Sequence, residues 1–355
     1  MIGCGSGSAG GGGQNPPPPP AFTTIDAVGA GTASGYGTWA THINSTGDVV
    51  GYYVDANGVY HGFIDISGSI TSIDAPGAGS ALNLGTLVGQ INASGEAAGY
   101  YADSNDLLHS FLRTSEGTLT QFDPPNSIGS DAFCINDSGI VAGGLLDANG
   151  SHGFVRGADG SFAIIDPTGD ASQVKSVFPV EINESGAIAG YYADTNSVYH
   201  GFLRDSNGTI TLLDAPGAGT AADSGTEIAD MNASGVIVGA IAVGGGITHG
   251  LMRSADGTYT VFDPPQAVSS FAEGINDNGV IVGEYRKSDL VRHGYLLQTD
   301  GTFTTFDDPN AAQLPSTSVN IGTATRHINL SDTIVGYYSD SAGVRHGFTY
   351  QPSAN

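Results

Sequence analysis

The sequence predicts an all-β fold, a seven-bladed β-propeller with four-stranded blades, and three observations predict it. A unit I-N-x-x-G, a short apolar run, then H-G-F recurs seven times, its histidines falling at His61, His109, His152, His200, His249, His293 and His346. The six intervals from His61 to His346 average about 47 residues, a period in the range of propeller blades. Each unit holds four strand candidates, which in the second copy are Thr86 to Ile91, Glu96 to Tyr101, Leu107 to Leu112 and Thr118 to Phe122. The third observation is at the ends of the chain. A fourth-strand pattern T-x-x-D (Thr71 to Asp74, Thr211 to Asp214, Thr304 to Asp307) also stands before the first unit as Thr23 to Asp26, and no copy follows His346. The N-terminal strand therefore completes the last blade and closes the ring, as a linear solenoid would not need to do.

The elements of one unit follow in order. The first strand ends on an asparagine (Asn44, Asn92, Asn136, Asn183, Asn232, Asn276, Asn329) that can close an Asx-turn, and the glycine three residues on tolerates positive φ. The second strand is a near-continuous apolar run with a central Gly, as in Val49-Val50-Gly51-Tyr52-Tyr53, which implies burial on both faces. The turn to the third strand carries Asp55-Ala56-Asn57-Gly58 or Asp147-Ala148-Asn149-Gly150. It lacks the spaced carboxylates and terminal Glu of a calcium loop and suits a hairpin. The N-x-S/T triplets at Asn44, Asn92 and Asn183 are tight turns generated by the repeat rather than glycosylation sites. Blade histidines separated by the propeller's rotation cannot converge on one ion, so each is expected to make a repeated structural hydrogen bond.

Composition narrows the function classes. Thirty-five acidic against ten basic residues give a formal net charge of −25, which repels phosphate backbones and anionic lipids. Nucleic-acid binding is not expected, and no apolar run is long enough to span a bilayer. The two cysteines, Cys4 and Cys134, cannot make a disulfide framework. Residues 1–20 read as a Gly/Ser/Pro-rich tether and 21–351 as the propeller. Gly3-Cys4 ahead of that tether looks like the residue of a bacterial lipobox, with Cys4 the lipidated position and the signal regions that would precede it missing.

The sevenfold I-N-x-x-G … H-G-F unit resembles that of the bacterial extracellular HAF-type repeat proteins, with Gly in place of the Ala in the family's name. The match covers about residues 21 to 350; Leu251 and Tyr295 replace the Phe and Ser110 the Gly. The resemblance implies an exported β-propeller at the cell envelope or outside it. It implies no settled activity, so it assigns no catalytic residue and no cofactor or metal.

Function is sought where the copies differ, because what all seven share serves the fold. Two residues before the turn Asn the series reads His42, Gln90, Cys134, Glu181, Asp230, Gly274, His327. This slot is expected to face the central channel. His42 and His327 would be neighbours across the seam, with Glu181 and Asp230 opposite, either as an acid/base or metal group or as a plain polar pore lining. The connections from the T-x-x-D Asp to the next turn Asn run from 13 to 22 residues. The first carries Tyr36 and Trp39, the last Asn310, Gln313 and Asn320, and an aromatic with amide side chains nearby suits a sugar; packing of Trp39 between blades 1 and 7 is the alternative. The expected role is a monomeric binding or adhesion module for a polysaccharide or a surface protein, membrane-attached only through Cys4. A carbohydrate-active hydrolase or lyase working in the channel, and a structural surface component, are the other readings.

Overall fold

The computed structural model describes residues 20–313 and 321–353. Six antiparallel four-stranded meanders follow one another along the chain, and a seventh sheet has three consecutive strands and a fourth from the N-terminus. In the first blade the strands are Gly37–Ile43, Val49–Val54, Tyr60–Ile66 and Ser69–Ile73. In the second they are Gly85–Ile91, Ala97–Ala102, Leu108–Arg113 and Leu119–Phe122, within a residue of the expected bounds.

The ring closes through the N-terminus. Strand Ala21–Ile25 pairs with Arg345–Gln351 in the register Ala21↔Gln351 to Ile25↔Gly347 and so becomes the outer strand of the seventh sheet. Phe22 stacks on Tyr350 at 4.4 Å and meets Phe348 edge-on at 5.4 Å. Asp26 accepts from His346 Nδ1 at 2.8 Å. The same bond recurs in every blade: each H-G-F histidine binds its T-x-x-D aspartate through Nδ1 at 2.6 to 3.0 Å. These histidines tie the third strand to the end of the fourth.

The remaining shared residues are explained by packing. The Phe of H-G-F (Phe63, Phe111, Phe154, Phe202, Phe348) is fully buried against the central Gly of the second strand. A Cβ on Gly51 would collide with the Trp39 carbonyl and the Phe63 ring, and the equivalent clash recurs at Gly190 with Phe178 and Phe202. The Gly is therefore required by close backbone approach, and the aromatic ring covers the gap it leaves. Adjacent blades touch through short parallel bridges, Gly37↔Arg345, Tyr60↔Gly85, Tyr199↔Gly225 and Arg292↔Gly322. The hydrophobic clusters lie between blades, as where Val50 and Ile64 of blade 1 pack on Val88, Ile91, Ala97 and Phe111 of blade 2.

Deleting Ala21 to Ala27 strips this closing strand, the Asp26 bond and Phe22, and exposes a sheet edge. The truncated protein should melt about 5 °C or more below the full chain and self-associate on gel filtration. Matching melting curves and elution volumes would show that the ring does not need its N-terminal strand.

Candidate functional site

Every innermost strand carries a β-bulge at one place. The register slips between Ala40 and His42, Val88 and Gln90, Ala132 and Cys134, Pro179 and Glu181, Ile228 and Asp230, Ala272 and Gly274, and Thr325 and His327. Strand alternation would put the residues one and four before the turn Asn on opposite faces. The extra residue restores them to one face, so that Ala40 and Ile43 share a core cluster, as do Val88 and Ile91. The residues two and three before the Asn are left to turn toward the channel, except Cys134, which is buried in the core between blades 3 and 4.

The bulge residues (Thr41, Gly89, Phe133, Val180, Ala229, Glu273, Arg326) all border a cavity of about 320 Å³ on the side of the channel away from the Asn turns. Its wall continues to Tyr191, Glu227 and Phe271. A second space, on the turn side, is bordered by the seven asparagines and by Asp137, Glu184 and Asp277. His42, Gln90, Glu181, Asp230 and His327 border both and form the waist between them.

At the waist, the imidazoles of His42 and His327 stack with centroids 3.9 Å apart, joining blades 1 and 7. His327 Nε2 lies 3.8 Å from Asp230 Oδ2, across the side-chain gap left by Gly274 of blade 6. Asp230 accepts from the Met231 N–H at 2.7 Å and the Ile275 N–H at 2.8 Å. Glu181 accepts from Gln90 Nε2 at 2.5 Å. Burial is the main force on every titrating group here. It pulls the pKa of His42 well down, helped by His327, and pulls that of His327 down against the attraction of Asp230. It pushes Glu181 well up, helped by Asp230, and Asp230 up against His327 and its two N–H donors. The waist thus favours neutral imidazoles and a protonated Glu181. Among the described residues no three His, Cys, Asp or Glu side chains form a group able to hold a metal ion. Cys134 is fully buried, and its thiol is pushed well up by burial.

The strands around the cavity beyond the waist carry aromatic and basic side chains. Trp39 stacks on Tyr52 at 5.1 Å, with Tyr60 beyond Tyr52 at 5.7 Å and Tyr337 of blade 7 at 6.1 Å. Across the channel, Phe133 lies 6.2 Å from Tyr100 and 6.3 Å from Phe178, and Tyr191 stacks on Phe178 at 5.0 Å. Except for Tyr337, these rings are half-buried. Four of the chain's ten basic residues, Arg286, Arg292, Arg326 and Arg345, gather beside Tyr337. Arg326 pairs with Glu273 at 2.6 Å, and Arg292 Nε lies 3.2 Å from Glu284. Arg345 lies over both Trp39 and Tyr337.

The four channel residues expected from the sequence are thus brought together. The loop set is not. Trp39 belongs to the innermost strand rather than to the preceding connection, and it faces rings and Arg345 instead of amides. Tyr36 sits half-buried in its loop, where its carbonyl accepts from the Arg345 N–H. Asn310 hydrogen-bonds Tyr338, and Gln313 donates to the Ala311 carbonyl at 3.4 Å, so both hold their own loop. Asn320 and Cys4 lie outside the described residues. The bulge series and the aromatic wall were overlooked in the sequence, although both carry the same signal as the waist slot: side chains that change from copy to copy.

No protein-family model and no curated protein matches this sequence. Among solved structures, streptogramin B lyase superposes with a TM-score of 0.57 at 13% identity, covering 93% of this chain and 97% of its own. YCF48 from Cyanidioschyzon merolae superposes at 0.52 and 10% identity, covering 93% and 99%. The chain has a β-propeller fold. At such identities the likeness speaks to fold alone.

The waist makes a pH prediction. A carboxyl whose folded pKa is raised keeps its proton at a pH where the unfolded chain has lost it, so stability falls as pH rises above the unfolded value near 4.3. Glu181→Gln keeps an acceptor for Gln90 and has no charge to desolvate. It should melt about 2–4 °C above wild type at pH 8 and level with it at pH 4. A constant difference between the two pH values would place a solvated carboxylate at position 181.

Proposed function

We propose that this protein is an exported, lipid-anchored HAF-type repeat propeller that acts as a binding or adhesion module at the bacterial cell surface, with a polysaccharide as its ligand. The observation that supports this most is the set of half-buried rings on and beside the innermost strands, Trp39, Tyr52 and Tyr60 in blade 1 and Phe133, Phe178 and Tyr191 in blades 3 and 4, of which Phe133 and Tyr191 border the channel cavity. Covering such faces with the apolar side of a sugar removes them from water, while the nearby guanidinium groups donate to hydroxyl or carboxylate oxygens. A surface protein is the other partner class for such a module.

A glycan-array screen followed by titration tests this reading. Trp39→Ala should weaken the best polysaccharide by at least about tenfold, roughly 1.4 kcal/mol, while unfolding stays cooperative. Unchanged affinity would take the ligand away from this wall, and a variant that fails to fold would make Trp39 a core residue.

The anchor is tested separately. With a signal sequence restored, wild type should partition into the membrane fraction of a bacterial host and Cys4→Ala should be soluble, because a chain of charge −25 is repelled by anionic lipid. Equal partitioning would remove the lipoprotein reading.

A second reading, a hydrolase or lyase acting on the bound polysaccharide, is favoured by the waist, where a proton-holding Glu181 and an Asp230–His327 pair border the same cavity. Release of new chain ends, lost in both Glu181→Gln and Asp230→Asn, would establish it. Binding without any cleavage would leave the module reading alone.

A further inference from the structure

A separate pocket opens between blades 3 and 4, and one departure from the repeat makes it. After its central Gly the second strand has Tyr52, Tyr100, Tyr191 and Tyr337 in blades 1, 2, 4 and 7, Ala240 in blade 5 and Glu284 in blade 6. Blade 3 has Gly144. Its partner across the strand pair is Asp131, where the other copies have Trp39, Leu87, Phe178, Glu227, Phe271 and Ala324. Loss of the ring leaves a space of about 320 Å³ bordered by Asp131, Gly144 and the apolar side chains of Leu108, Leu145 and Phe178. At its rim Leu107, Ile128 and Leu146 are 39%, 50% and 49% exposed, beside the exposed Asp106.

Asp131 is the polar feature of this wall that matters. Its carboxylate takes the Gly144 N–H, and no Lys, Arg or His forms an ion pair with it among the described residues. Burial pushes its carboxyl up to about 7, the behaviour of an acid held in apolar surroundings without a cation. A Cβ on Gly144 would sit 2.5 Å from Asp131 Oδ1, so the missing side chain is what gives the carboxylate its open side.

We propose that this pocket receives a lysine side chain of a basic partner polypeptide, the methylenes lying against the leucine and phenylalanine walls and the ammonium meeting Asp131. The long stem with a compact terminal charge fits apolar walls ending in one carboxylate, already partly occupied by a backbone donor. The overall charge of −25 draws basic chains toward the surface from a distance. A buried acid that gains a cation changes from a cost to a source of affinity, which is how such a pocket would select its partner. The proposal shares Phe178 with the glycan reading, but Trp39, Tyr52 and Tyr60 do not border this pocket, so loss of glycan binding in Trp39→Ala and loss of the lysine preference in Asp131→Asn are separate outcomes.

The test uses the full chain and the peptide acetyl-Gly-Gly-Lys-Gly-Gly-amide, its norleucine counterpart of similar stem length without the charge, and free butylamine, followed by NMR titration. The lysine peptide should bind at least about fivefold more tightly than the norleucine peptide. Asp131→Asn should erase that difference, and Gly144→Tyr, which restores the repeat's own residue, should block both peptides. Circular dichroism and melting curves show whether each variant is folded, and Asp131→Asn carries the test if Gly144→Tyr is not. Equal binding of the two peptides, no binding by wild type at millimolar concentration, or an unchanged preference in Asp131→Asn would overturn the proposal. Binding of butylamine without the lysine peptide would overturn the polypeptide partner and leave a small-amine site.

Discussion

The carboxamide of the turn asparagine is the interaction on which the molecule depends. In blade 1, Asn44 Oδ1 accepts from the N–H groups of Thr46 and Asp48 and shapes the turn, while Nδ2 donates to the Asn92 carbonyl of the next blade at 3.0 Å. The link is repeated from Asn92 to Asn136, Asn136 to Asn183, Asn232 to Asn276, Asn276 to Asn329, and back from Asn329 to Asn44. Each bond contributes only about 1 kcal/mol net, but an unpaired buried amide would cost more, so the carboxamide is matched to both tasks. Aspartate would supply the turn acceptor and lose the donor. One residue type thus sets a local turn and the step between blades.

The bulge three residues before that asparagine converts the fold into a site. Without it the period-two alternation of a strand would expose either Ala40 or Ile43, which both belong to the blade core. With it, two successive positions per blade are turned toward the axis, and most of them are released from the core, Cys134 and Val180 being the ones drawn back into packing between blades. This division explains why I-N-x-x-G and H-G-F are nearly invariant while the channel residues range from Gly274 to Arg326. Constraint lies between the blades and freedom lies on the axis.

Most of the architecture was legible in the sequence because repetition averages out local ambiguity: a weak strand signal seen seven times at one spacing becomes a strong one. The unpaired Thr23 to Asp26 copy placed the closing strand, and the slot of His42, Glu181, Asp230 and His327 was found by counting back from an invariant residue. Counting stopped one residue short. The bulge series Thr41, Gly89, Phe133, Val180, Ala229, Glu273, Arg326 reads on paper as facing the core, because a bulge leaves no mark in alternation. Trp39 falls in the connection counted from Asp26 to the turn Asn44, a span that holds both a loop and the innermost strand. In the structure Gly37 is strand, held at φ +124° where the neighbouring blade's backbone approaches. The side-chain partner of Asn310, Tyr338, is a tertiary neighbour that no local pattern encodes.

The charge distribution ties these layers together. A chain of −25 would be expected to present acid everywhere, yet four of its ten cations lie in blades 6 and 7 at one end of the channel, compensated in part by Glu273 and Glu284. In blades 3 and 5 Asp131 and Glu227 are carboxyls whose pKa burial raises, with no ion pair to either among the described residues. Charge is therefore distributed unevenly around the ring, with cations gathered in blades 6 and 7 and carboxyls without ion pairs in blades 3 and 5. Seven near-identical blades cannot generate such an axis by symmetry, and packing between blades does not demand it. It arises at positions where the copies differ, Glu273 and Arg326 among the bulge residues and Gly144, where one blade gives up the ring most others keep. Side chains that change from copy to copy are the ones that give the ring a direction, so a ligand of mixed apolar, hydroxyl and charged character would meet it in one preferred orientation.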